Sequence, residues 1–159
     1  MKRNWKKMVP MMALGVALLG NGAVSEAAVP QSELVLGGIE YNASRTYLES
    51  VYGTPTEDEL KHSNLFAGEV RELEYGDSFE LLLVDGAVQN IEISRHNGIK
   101  TPKGIEVGST LADVKAAYGE PDRVRHNDYI YYVDGNMDLG FVFEIENNKV
   151  TEIEAGLIS

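Results

Sequence analysis

The sequence contains no cysteine. That excludes thiol nucleophiles, thiolate metal sites and disulfides, so the core must stand on packing alone. It also excludes the lipidated cysteine by which many exported bacterial proteins are held to a membrane. Basic side chains are few, 14 Lys and Arg against 25 Asp and Glu. Phosphate binding rests on basic patches, so nucleic acid is not an expected partner. The three histidines, His62, His96 and His126, fall in expected loops, and no two stand at helical metal-ligand spacing. There is no His-Glu-x-x-His, no phosphate-cradling glycine loop and no Gly-x-Ser-x-Gly. With these motifs missing and no carboxylate pair singled out among many acids, no enzyme activity, cofactor or metal is expected.

No apolar run is long enough to span a bilayer, but a shorter one stands at the start. Met1-Lys2-Arg3-Asn4-Trp5-Lys6-Lys7 is positively charged, Met8 to Leu19 is apolar, and small residues follow at Gly22, Ala23, Ser25, Ala27 and Ala28. That order is a secretory signal. Cleavage after Ala27 puts Ser25 and Ala27 at the two positions that must be small, so residues 1–27 are assigned as signal peptide. Four of the 14 basic residues and one of the 25 acids lie in that segment, leaving 10 and 24, a net −14. The mature protein is expected in the periplasm or outside the cell, without a stable membrane anchor. Its charge suits a cationic partner, a basic peptide or a divalent cation, and also serves solubility.

An internal repeat organises the rest. Residues 38–55 and 104–121 match at a constant offset of 66 with 6 of 18 positions identical, from Gly38-Ile39-Glu40 to Pro55 and from Gly104-Ile105-Glu106 to Pro121. A second block matches at an offset of 62, aligning Phe79 with Phe141, Leu81 with Phe143, Leu83 with Ile145, Val88 with Val150, and Ile91-Glu92 with Ile153-Glu154. The longer segment 56–68 of the first copy absorbs the difference. Repeat 1 is therefore 28–96, repeat 2 is 104–159, and 97–103 is a surface linker.

Each copy opens with a helix, about 44–52 and about 110–118. Ser44 and Thr110 are the N-caps, with Asp113 completing a box like that of Thr110-x-x-Asp113. Gly53 and Gly119 supply left-handed ends, and Pro55 and Pro121 prevent continuation. Tyr47, Leu48, Val51 and Tyr52 share a helical face, as do Leu111, Val114, Ala117 and Tyr118. Strands are expected at 69–75, 78–84 and 87–95, and at 128–133, 139–146 and 149–157, with a short one at 33–37. Asp85-Gly86, Asp134-Gly135 and Asn147-Asn148 are hairpin turns. Asp134 to Asp138 is faintly like a calcium loop, but it lacks the acidic spacing, and the hairpin explains it better. Thr56 with Glu59 suggests a short helix in the longer segment, and Leu65 and Phe66 are expected to tuck under the sheet.

The fold class is α+β, one antiparallel sheet with helices on one face. Alternation gives that face Leu73, Tyr75, Phe79, Leu81, Leu83, Ile91, Ile93, Phe141, Phe143, Ile145 and Ile153. The other face carries Glu72, Glu74, Glu80, Glu92, Glu144, Glu152 and Glu154 among Leu82, Val84, Ile130, Tyr132 and Val142. A solvated face needs fewer apolar residues and a buried one fewer acids. Glu74, Glu80, Glu92, Ile130, Tyr132, Glu144 and Glu152 are thus the candidate binding residues.

Gly108-Ser109-Thr110, Val114, Tyr118-Gly119 and Pro121, with Asn42, Ser44, Leu48, Tyr52-Gly53 and Pro55 in the first copy, give a pattern that resembles the β-lactamase-inhibitor-protein-like fold. That fold includes the inhibitor, a tandem repeat, and the SmpA/OmlA small outer-membrane lipoproteins, a single unit. The resemblance covers nearly all of residues 33–157. It implies a tandem-repeat sheet offering a broad face to a protein partner. Inhibition of an extracellular enzyme, or a part in envelope assembly, are the alternatives it suggests. The lipoproteins' anchoring cysteine has no counterpart here.

Overall fold

The computed structural model describes residues 29–63 and 66–158. The expected signal peptide lies outside the described residues, as does Leu65.

Two eight-residue helices start at side-chain caps. The Ser44 hydroxyl accepts from the Tyr47 amide at 3.1 Å and opens α1, Arg45–Tyr52. Thr110 opens α2, Leu111–Tyr118. Its Oγ1 accepts from the Asp113 amide at 3.1 Å while Asp113 Oδ2 accepts from the Thr110 amide at 2.8 Å, a complete capping box. The Thr110 hydroxyl, donating to the same carboxylate at 2.6 Å, and then the Thr110 amide hold the Asp113 carboxyl below its ordinary value. A carboxyl so lowered stabilises the fold above its unfolded pKa, and the contribution fades as pH falls through its folded value. Thr110→Ala is therefore expected to cost about 1 kcal/mol near neutrality. Denaturant unfolding should show a smaller loss once the pH has fallen through the lowered folded value of the Asp113 carboxyl, where it is protonated in both states.

One antiparallel sheet holds eight strands: β3 Glu57–Lys61, β4 Val70–Tyr75, β5 Phe79–Val84, β6 Ala87–Ile93, β7 Arg123–Arg125, β8 Asp128–Val133, β9 Asn136–Glu146 and β10 Lys149–Leu157. Their spatial order is β3-β4-β5-β6-β10-β9-β8-β7. The chain thus lays strands from one edge inward, crosses by α2 to the other edge, and works inward again until β10 meets β6. β1 Val35–Leu36 and β2 Ile39–Glu40 form a separate hairpin around Gly37-Gly38. The fold class is α+β.

The core lies between helices and sheet. Leu48 of α1 and Val114 and Tyr118 of α2 are buried with Leu73, Leu81, Leu83, Ile91, Ile93, Phe141, Phe143 and Ile153. Each helix ends on a tyrosine that joins an aromatic group. Tyr52 stands 4.9 Å from Phe79 and 5.6 Å from Tyr75 between ring centroids. Tyr118 stands 5.4 Å from both Phe141 and Phe143. Burial pushes the Tyr118 phenol up to about 12, so it stays protonated across the physiological range.

The structure adds to or departs from the sequence pattern at four places. The segment after Pro55 forms β3 rather than a short helix. The Thr56 amide and hydroxyl both donate to the Glu74 carbonyl, at 2.7 and 2.8 Å, which steers the chain into pairing with β4. β7, three residues long, was hidden by its shortness. Tyr47 and Val51 are each 49% exposed, leaving Leu48 as the buried contact of α1. The 97–103 stretch is partly packed: Ile99 lies against the core, and Thr101 is buried in a turn whose amide donates to the Ile105 carbonyl.

Candidate functional site

Strand register lines up one residue from each strand across the sheet. Glu57 faces Glu74, Glu74 faces Glu80, Glu80 faces Glu92, and Glu92 faces Glu154. Beyond Glu154 the line continues through Val142 and Ile130 to Arg123. Five carboxylates in succession therefore end on an apolar pair. Glu152 faces Glu144, which faces Asp128, on the same side of the sheet. Directly opposed like charges destabilise a sheet. A local rule broken this many times in one row makes this face the candidate site.

The centre of this face is less open than alternation alone suggests. Glu92 and Glu152 are each 7% exposed and Glu154 is 9% exposed, while Glu74, Glu80 and Glu144 are half-buried. β6 and β10 are the innermost strands, so their side chains are shouldered by neighbours on both sides. Carboxylate oxygens of Glu92, Glu152 and Glu154 approach within 4.8 Å of one another, as do those of Glu72, Glu74 and Glu80. Either group has the all-oxygen donors that a hard divalent cation takes. Lys61 relieves the outer group: its ammonium lies 2.7 Å from Glu72 and 2.6 Å from Glu59. Burial opposes that charge, but the two carboxylates outweigh it and raise the Lys61 pKa.

At the other end, Ile130, Val142 and Ile158 form a small buried cluster with Tyr132 against it. Alongside this row, two positions further along the strands, runs a row of small residues. Gly156 faces Asn90 on one side and Gly140 on the other, and Gly140 faces Tyr132. All seven candidate residues, Glu74, Glu80, Glu92, Ile130, Tyr132, Glu144 and Glu152, lie on this one face. Sequence reasoning missed Glu57 and Arg123, which extend the row to both edges. The alternation Glu57, Glu59, Lys61 was the available signal for the first.

A concavity of about 550 Å³ opens beyond the end of β6, beside the turn from β9 into β10, lined by Ser94, Arg95, His96, Val107, Glu146 and Lys149. His96 Nδ1 lies 3.1 Å from the Val107 carbonyl and 3.6 Å from Glu106. No helix among the described residues is long and apolar enough to cross a membrane.

No protein-family model and no curated protein matches the sequence. Solved structures do. An extracellular protein containing a SCP domain from Bacillus anthracis superposes with a TM-score of 0.56 at 10% identity, covering 91% of this chain and 50% of that one. A cysteine-rich secretory protein from Staphylococcus aureus gives 0.46 at 10% identity, covering 83% of this chain and 49% of that one. This chain therefore spans about half the length of either. A Streptococcus mutans protein provisionally described as a beta-lactamase inhibitor protein gives 0.34 at 11% identity, covering 73% and 84%. The first likeness is one of fold, and these neighbours include extracellular proteins and an inhibitor-like chain.

Proposed function

We propose that this protein is an exported, non-catalytic binding module whose acidic sheet face captures a protein with a basic surface. The row Glu57-Glu74-Glu80-Glu92-Glu154, ending on Val142 and Ile130, carries the proposal. Carboxylates set against one another reduce the stability of the free protein, and a cationic surface laid over them relieves that repulsion. At the apolar end Ile130 and Val142 are already buried, so the half-buried Tyr132 packed against them supplies the apolar contact beside the charged field. Export rests on the leader-like residues 1–27 and is in keeping with the extracellular neighbours. Duplication of one helix-and-strands unit is supported at the seam, where Glu92 and Glu154, equivalent at the offset of 62, stand directly opposite.

The test is capture of partners from the envelope and medium of the host, comparing the native protein with a Glu80→Lys, Glu144→Lys variant. Both side chains are half-buried, so folding should survive, as circular dichroism would establish. The expected result is at least a tenfold loss of the retained partner and a similar loss at about 0.5 M salt. Unchanged capture by the folded variant would remove this face as the site. Capture abolished by chelation and restored by calcium would redirect the acids to a cation.

A further inference from the structure

The two edges of the sheet carry opposite charge. β3 reads Glu57-Asp58-Glu59-Leu60-Lys61 and β7 reads Arg123-Val124-Arg125, all exposed except the half-buried Lys61. The edges are also equivalent positions, since at the offset of 66 Glu57 falls on Arg123. Register puts Glu57 and Glu59 on the acidic face with Glu74 and Glu72, and Arg123 and Arg125 on the same face with Ile130 and Asp128. Val124, 50% exposed, and Leu60, 56% exposed, lie on the helix side.

The arginines of β7 differ from the others. Arg45 is held by Glu49 and Asp58, Arg71 by Asp58 and Glu69, and Arg95 by Asp77. Burial alone would push the Asp58 carboxyl up, yet the two guanidinium groups on it hold it below its ordinary value. Among the described residues Arg123, Arg125 and Glu57 form no ion pair, although Asp128 stands across from Arg125 in the register. In a chain with 25 acids, two arginines left unpaired side by side on a sheet edge call for a partner.

We infer that the chain self-associates head to tail, β7 of one copy pairing with β3 of the next. The sheet has eight antiparallel strands, so its outermost two run in opposite directions. A second copy set alongside with the same face up therefore brings β3 to β7 in antiparallel sense, and the ladder continues unbroken. Arg125 then stands opposite Glu57 and Arg123 opposite Glu59, with Val124 diagonal to Leu60. Symmetric pairing of β3 with β3, or of β7 with β7, sets like charges together and is disfavoured. The contact is heterologous, so it propagates rather than closing at a dimer. Only three residues of β7 take part, which makes it weak.

Sedimentation velocity on the purified protein from about 10 μM to about 1 mM in low salt tests this, the range over which so small a contact would build. The sedimentation coefficient should climb with concentration past the dimer value and fall back in about 0.5 M salt. Arg123→Glu with Arg125→Glu makes both edges acidic, and Glu57→Lys with Glu59→Lys makes both basic. Each double variant alone should stay folded, as circular dichroism would establish, and monomeric. Their equal mixture should associate again, because each supplies the edge the other lacks. A native protein that stays monomeric throughout, a series that stops at a dimer, or a mixture that fails to associate would overturn the inference.

Discussion

Alanine at Gly156 should lower stability by about 3 kcal/mol, from strain at a special backbone position plus a steric clash. Gly156 holds φ at +124°, where an L side chain is strained, and a Cβ built there would stand 2.3 Å from the Gln89 carbonyl oxygen. Gln89 cannot easily retreat. It is the extra residue of a bulge, since Leu82 faces Asn90 while Leu83 faces Val88. Asn90 beside it is fixed through a 2.7 Å bond from its Nδ2 to the Leu157 carbonyl. Gly135→Ala is the comparison, because Gly135 has φ +72° but open space around its Cβ position. That change should cost about 1 kcal/mol. Thermal melts would separate the two by roughly 5–10 °C for a domain of this size. Equal losses would mean that backbone strain alone is felt and that the close approach relaxes.

Phe143→Ala should remove about 4 kcal/mol. The ring is fully buried on β9 and packs with Tyr118, Tyr131 and Phe141 at centroid distances of 5.4, 5.7 and 5.7 Å. The shape of the transition matters as much as its midpoint. β6 and β10 pair through four residues on each strand, and the buried cluster runs without a break from Leu48 to Phe143. The loss should therefore appear as one cooperative transition, shifted as a whole, in both tyrosine fluorescence and far-UV circular dichroism. A native-like first half surviving beside a melted second half would show that each half is a separate folding unit.

Local rules carried most of the elements. Ser44, Thr110 and Asp113 announced both helix starts because capping depends on a few neighbouring groups, and alternation sorted Phe79, Leu81, Leu83 and Glu80 onto opposite faces. What stayed hidden was set at a distance. That Glu92 faces Glu154 depends on β6 and β10 being neighbours, which no short segment records, so the acids were legible as a face but not as a row. The burial of Glu92, Glu152 and Glu154 follows from the same central placement. β7 escaped because three residues, two of them arginine, carry too little periodicity to be read, and Tyr47 and Val51 show that a shared apolar stripe need not be buried.

The seam between β6 and β10 also orders events in time. Hairpins such as β5–β6 and β9–β10 join residues close in the chain, whereas Glu92 and Glu154 are 62 positions apart. Contacts of high sequence separation carry the larger loop-closure entropy and form late. The unbroken line of carboxylates straddles that seam, so it exists only once the final ladder has closed. Before that closure Glu57, Glu74, Glu80 and Glu92 line up on β3 to β6, and Glu154 stands apart on β10. The face is in this sense a report of completion, and whatever reads it in full meets only finished molecules.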